Sequence, residues 1–168
     1  MSQPLDLPFD PIARAGELWT ENFGPAAAMR VATSIMRAQQ LLLTRFDRIL
    51  KPYKLTFARY EALVLLHFSR SGELPLSIIG ARLMVHPTSV TNTVDRLVTQ
   101  GFVERRPNPR DGRGVLASLT DAGRATVKRA TDDLMADGFG LAAYDVPKLD
   151  ELFALLRELR LAAGDFRD

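Results

Sequence analysis

Residues 87–99 sort their side chains by chemistry. Val90, Val94 and Leu97 recur at i, i+4 and i+7, the spacing of one apolar helix face. The other face carries Thr88, Ser89, Thr91, Asn92, Asp95, Arg96 and Thr99, which are short donors and acceptors with one cation. Such side chains suit flat hydrogen-bonding edges. An asparagine at 92 can pair bidentately with adenine, an arginine at 96 can reach guanine or a phosphate, and threonine can meet a thymine methyl. The B-form major groove admits one helix, so a helix docked on one side and small-polar on the other fits it. The helix N-terminus also offers free N–H groups to a phosphate. Residues 107–114 then form a long, Pro- and Gly-rich connection with Arg110 and Arg113 around Asp111. An arginine at a loop tip can enter a narrow minor groove. A free Asp111 would be repelled by DNA, so we expect it to pair with a neighbouring arginine and fix the loop.

These groups need elements to hold them. Ile78, Ile79, Ala81 and Leu83 predict a short helix, Met84-Val85-His86 a turn, and Pro87 a second helix start, where its missing N–H costs nothing. Gly80 within the first helix implies close packing, and His86 reads as a helix-entry residue or a phosphate contact. Gly101 ends the second helix. Residues 102–106 read as a strand, and Val115, Ala117 and Leu119 alternate with Leu116 and Ser118 in a return strand. Helix, turn, helix, strand, loop, strand is a winged helix-turn-helix, expected over 55–120 with its recognition helix at 87–100 and its wing at 102–119.

The flanks are helical. Residues 1–10 predict an extended tail. Residues 11–23 form a short helix with Asp10 as cap and Pro11 in its first turn, closed by Gly24-Pro25. Residues 1–24 thus make a tail and extra helix, and 25–168 the main domain. In the long helix 26–50, Ile35, Leu42, Phe46 and Ile49 make a stripe that Leu41, Leu43 and Leu50 widen. That exceeds what a solitary surface helix needs, so part of it is expected to pack on another subunit. Thr56 is the expected simple N-cap of the next helix, whose apolar face is Phe57, Tyr60, Leu63, Val64 and Phe68. Leu74-Pro75 predicts only a single bridging pair. Thr120 caps a helix over about 121–137, broken at Gly138-Phe139-Gly140. Leu149, Leu152, Phe153, Leu156 and Leu159 stripe a last helix over about 146–162.

The totals narrow the classes further. Cysteine is absent, which excludes disulfides and thiolate metal sites, and two histidines make a histidine-rich metal site a poor expectation. No run approaches ~18 apolar residues, so no membrane span is expected. The first residues lack a basic start before an apolar block, so no secretory signal is expected and the cytoplasm is the default compartment. Residues 25–75 carry eight bases against three acids and residues 76–120 six arginines against three acids, whereas both ends are net acidic. A localised basic middle suits a polyanionic partner or, on the plainer reading, a mixed solvated surface.

The ordered set resembles the multiple-antibiotic-resistance regulator (MarR) family. The carrying stretches are HPTSVTNTVDRLVTQGFVERR and DGRGVLASLTDAG, with Asp111-x-Arg113, Leu119-Thr120 and Gly123 as the most specific signature. The likeness covers about residues 26–163. It implies a mainly α fold with a small β-wing and a dimeric architecture, joined through helices at 26–51 and 121–163. It further implies repression of nearby genes and release from DNA by small anionic or aromatic ligands. Carried over by position, Thr88, Ser89, Thr91, Asn92 and Arg96 face the major groove. Arg113 enters the minor groove, organised by Asp111 and accompanied by Arg110. The extra N-terminal helix resembles that of urate-responsive members, which also carries a tryptophan. By that likeness Trp19, Glu61, Arg96 and Arg106 are counterparts of the ligand site, although Glu61 stands where that subgroup has aspartate. The alternatives are packing for Trp19, a surface salt bridge for Glu61, and for His67 either a hydrogen-bonded histidine at the core or pocket edge or a pH or ligand sensor.

The reading is a sequence-specific, homodimeric DNA-binding regulator of a pseudo-palindromic operator, with a small-molecule effector and no cofactor. The alternative is a winged-helix protein-assembly module. No catalytic spacing, phosphate-cradling glycine loop or metal cluster supports an enzyme.

Overall fold

The computed structural model describes residues 6–109 and 114–167. The chain divides into two compact units, Met1–Arg45 and Phe46–Asp168.

In the first unit, α1 spans Pro11–Phe23, with Pro11 in its first turn and the Ile12 N–H donating to Asp10 Oδ1 at 2.9 Å. α2 spans Ala27–Leu50 and continues into the second unit. Gly16 lets α1 lie against Arg30, whose Cδ is 2.5 Å from where a Cβ at 16 would stand. The expected stripe on α2 is only partly covered. Phe46 and Leu50 are buried, Ile35, Leu42 and Ile49 are half-buried, and Leu41 and Leu43 are exposed.

The second unit holds the helix-turn-helix. After a single 3-10 turn at Lys51–Tyr53, α3 spans Phe57–Phe68, α4 Leu76–Leu83 and α5 Pro87–Thr99. Strands β1 (Glu73–Pro75), β2 (Val103–Pro107) and β3 (Val115–Leu119) form an antiparallel sheet in the order β1-β3-β2. α6 spans Asp121–Ala136 and α7 Val146–Ala162, separated by a 3-10 turn at Gly138–Gly140 in which Phe139 takes φ 50°. The core gathers Leu55, Leu63, Leu66 and Ile79 with Val90, Val94, Leu97, Val103, Ala117, Val127 and Leu134, all nearly or fully buried.

Four local expectations change. β1 is a three-residue strand, with Glu73, Leu74 and Pro75 opposite Ser118, Ala117 and Leu116. Its partner is distant in sequence, and backbone pairing in so short a segment leaves no side-chain pattern to read. β3 therefore lies between two strands, and Ser118 is buried along with Ala117 and Leu119 instead of alternating outward. Thr56 occupies the N-cap of α3, but its hydroxyl makes no cap bond. Asp47 Oδ1 accepts the Phe57 N–H at 2.9 Å instead, and Thr56 Oγ1 accepts from Arg59 Nε at 3.2 Å. Phe68 is 78% exposed. It follows the buried Leu66 by two residues, about 200° round the helix, so α3 buries Ala62, Leu63 and Leu66 and turns Phe68 away.

Two glycines fit close approaches. A Cβ at Gly123 would stand 2.2 Å from the Phe102 carbonyl oxygen, so only glycine lets the first turn of α6 meet the start of the wing. A Cβ at Gly80 would stand 3.1 Å from Val90 Cγ2, the close contact of α4 with α5. Thr120 joins the same corner, accepting the Gly123 N–H at 3.0 Å and donating to the Gly101 carbonyl at 2.8 Å. None of the described helices is long and apolar enough to cross a membrane.

Candidate functional site

α5 is built as a presented helix. Val90, Val94 and Leu97 anchor it in the core, while Thr88, Ser89, Thr91, Asn92, Asp95 and Arg96 are exposed. Pro87 opens it and His86 caps it, accepting the Thr88 N–H on Nδ1 at 3.3 Å. His86 is thus a helix-entry residue. Thr91 Oγ1 donates to the Pro87 carbonyl at 3.1 Å, which leaves its lone pairs and methyl group to an incoming surface. Asp95, the acid on this face, is bound at 2.8 Å by Arg105 of β2. That contact offsets the negative charge on the presented face and ties the wing to the helix.

The start of α3 stands beside α5. Thr56, Arg59, Asn92, Thr93 and Arg96 line one cleft of about 420 Å³. The cleft therefore brings Asn92 and Arg96 together with a second cation. Sequence reading passed over Arg59 as a DNA-facing residue, because linear spacing does not show that the first turn of α3 lies against α5. Two arginines and a carboxamide lining one space make an anion-seeking cleft with a group able to read a base edge.

In the wing, the Asn108 N–H donates to the Gly114 carbonyl at 3.0 Å. Arg110, Asp111 and Arg113 lie outside the described residues. Arg106 is engaged with Glu73 and Glu104, at 3.1 Å each.

A second concavity lies between α3 and α6, about 700 Å³ in volume. Phe57, Tyr60, Glu61, Val64, His67 and Phe68 of α3 line it. Val127, Lys128, Asp132 and Met135 come from α6, with Leu83 and Phe139 beside them. Glu61 and His67 thus share a cavity that Arg96 and Arg106 do not line. Burial pushes the Glu61 carboxyl above the usual range. His67 Nδ1 lies 3.4 Å from Arg124 Nη1. Trp19 belongs to the first unit, where it packs on Phe23 with ring centroids 5.1 Å apart and remains 40% exposed.

Three helices with a sheet-borne wing, a presented polar helix and a flanking pair of arginines define a winged helix-turn-helix protein. A family model described as the MarR family matches residues 55–115. The solved structure of Sco5413, a MarR family transcriptional regulator from Streptomyces coelicolor, is similar with a TM-score of 0.78. It is 65% identical, over 84% of this chain and 98% of that one. The HTH-type transcriptional regulator YhbI of Bacillus subtilis is 32% identical over 131 residues, 78% of each protein. Sco3205 of Streptomyces coelicolor, solved in complex with DNA, is 25% identical with a TM-score of 0.69, covering 77% of this chain and 82% of that one. The chain belongs to the MarR family of transcriptional regulators.

Proposed function

We propose that the protein is a cytoplasmic, homodimeric repressor that reads a pseudo-palindromic operator with α5 and leaves it when a small ligand binds. The observation that carries this reading is the division of α5. Thr88, Ser89, Thr91, Asn92 and Arg96 are open to solvent, while Val90, Val94 and Leu97 hold the helix in the core. Asn92 and Arg96 supply sequence preference and Arg59 grips a phosphate beside them. Arg110 and Arg113 add wing contacts, with Asp111 shaping the loop, as the family likeness implies. A relative solved in complex with DNA supports the same use of the fold. The dimer accounts for apolar side chains left exposed on α2, such as Val31, Met36 and Leu41, and on α7, such as Phe153, Leu155 and Leu159. A two-fold dimer reads half-sites about one turn (~10 bp) apart. The cavity between α3 and α6 is the ligand site of this reading. Of the anionic and aromatic ligands the family likeness implies, its apolar walls favour an aromatic one.

The test is footprinting and gel shift on the intergenic DNA flanking its own gene, with wild type and Asn92→Ala. Protection of paired half-sites, weakened by the substitution, is the expected result. A protein that binds that DNA no better than random sequence is instead a protein-assembly module.

A further inference from the structure

The cavity between α3 and α6 has mostly apolar walls and more acids than bases in its lining. This inference rests on the ligand-release reading above and names the class of ligand. Along α3, Phe57, Val64 and Phe68 follow i, i+7 and i+11 on one face. Glu61 occupies the i+4 position of that same stripe, so a carboxyl group interrupts an otherwise apolar wall. Phe57, Phe68 and Phe139 line the same cavity. Burial alone displaces the Glu61 carboxyl upward, with no neighbouring charge or hydrogen bond contributing. No hydrogen bond or ion pair reaches Glu61 among the described residues. The other ionisable groups lining the space are Tyr60, whose hydroxyl is hydrogen-bonded to Thr131, His67, which lies against Arg124, and Lys128 and Asp132, both exposed on α6. The lining therefore carries two acids, Glu61 and Asp132, against one base, Lys128, and Glu61 is the half-buried one of the three.

A half-buried carboxylate without a partner is costly, and a cation brought to it relieves that cost. Aromatic rings attract the same cation through their faces. We propose that the cavity binds a lipophilic organic cation, a protonated amine or quaternary ammonium on an aromatic or aliphatic body. Its charged head lies against Glu61 and its body against Phe57, Phe68 and Phe139. A volume of about 700 Å³ suits a molecule of drug-like size. Because α3 also carries Arg59 into the cleft with Asn92 and Arg96, an occupant that favours one spacing of α3 and α6 acts on the reading face.

Three probes with one skeleton test the proposal on the full-length protein: 4-phenylbutylamine, 4-phenylbutanol and 4-phenylbutyrate, titrated calorimetrically at pH 7 without DNA. The amine is expected to bind roughly tenfold more tightly than the alcohol, and the carboxylate most weakly. Glu61→Gln is expected to erase the preference for the amine while keeping the alcohol's affinity, with its melting temperature recorded as the folding control. Equal affinities, tightest binding of the carboxylate, no amine binding at millimolar concentration, or amine binding indifferent to Glu61→Gln each overturn it. Gel shifts with the amine separate the two readings. If the amine binds by calorimetry but leaves operator affinity unchanged, the ligand class stands and release by ligand fails.

Discussion

Asn92 and Arg96 share one exposed cleft with Arg59, and the proposed reading gives the three side chains different work. A carboxamide reads a base edge, so Asn92→Ala should cost about 1–3 kcal/mol on the preferred operator and much less on random DNA. Arg59 at the start of α3 is a phosphate ligand in this scheme. Arg59→Ala should weaken binding evenly across sequences and lower the salt slope by about 1, measured as log affinity against log salt. A change in sequence preference with an unchanged slope would reverse the two assignments. Glu61 makes a different kind of prediction. Burial raises its carboxyl in the folded state above the unfolded value. The unfolded chain then holds fewer protons as pH rises between the two values, so stability is greatest below that range and falls as pH climbs through it. Glu61→Gln should therefore raise the melting temperature near pH ~7, and the gain should shrink towards pH ~4. A constant gain at all pH values would remove the carboxyl from the explanation.

At the scale of elements, the wing and α6 depend on a corner with no room for a side chain. Gly123 faces the Phe102 carbonyl, a backbone atom that cannot rotate aside. Gly123→Ala should cost about 1–3 kcal/mol in denaturant unfolding. Gly80→Ala should cost less, because its obstacle is the Val90 side chain. The start of α3 is secured by Asp47 and not by the adjacent Thr56. Asp47→Ala should cost about 1 kcal/mol, while Thr56→Val should have a smaller effect on stability. These are substitutions of folding, and operator preference measured on the surviving folded fraction should be unchanged for Gly80→Ala and Gly123→Ala. The ends of α1, the end of α5 and the start of α6 follow their caps and breakers closely, because Asp10, Gly24, Gly101 and Thr120 act within one turn of the helix they bound. The sequence showed β1 only as a bridging pair at Leu74-Pro75, and its extension to Glu73 was not legible because its partners, Leu116 to Ser118, lie far along the chain.

At the scale of the whole molecule, the exposed apolar side chains of α2 and α7 call for a second copy. Leu155→Asp with Leu159→Asp should convert the protein to monomer in analytical ultracentrifugation and abolish cooperative occupation of the two half-sites. A persistent dimer would place the interface elsewhere.

Local chemistry decided much by itself. The period of Val90, Val94 and Leu97, the proline at 87 and the glycine at 101 were enough to define a helix with an open polar face. They were also enough to suggest what that face reads, because the determinants lie within a few residues of one another. Tertiary packing decided what stands beside that helix and what α3 does with its two faces. It set Arg59 against Asn92 and Arg96 and engaged Arg105 with Asp95. It also made the stripe of Phe57, Glu61, Val64 and Phe68 the wall of a cavity instead of the core. An apolar stripe has the same period whether it meets a core or an open space, so only the position of α6 could settle which.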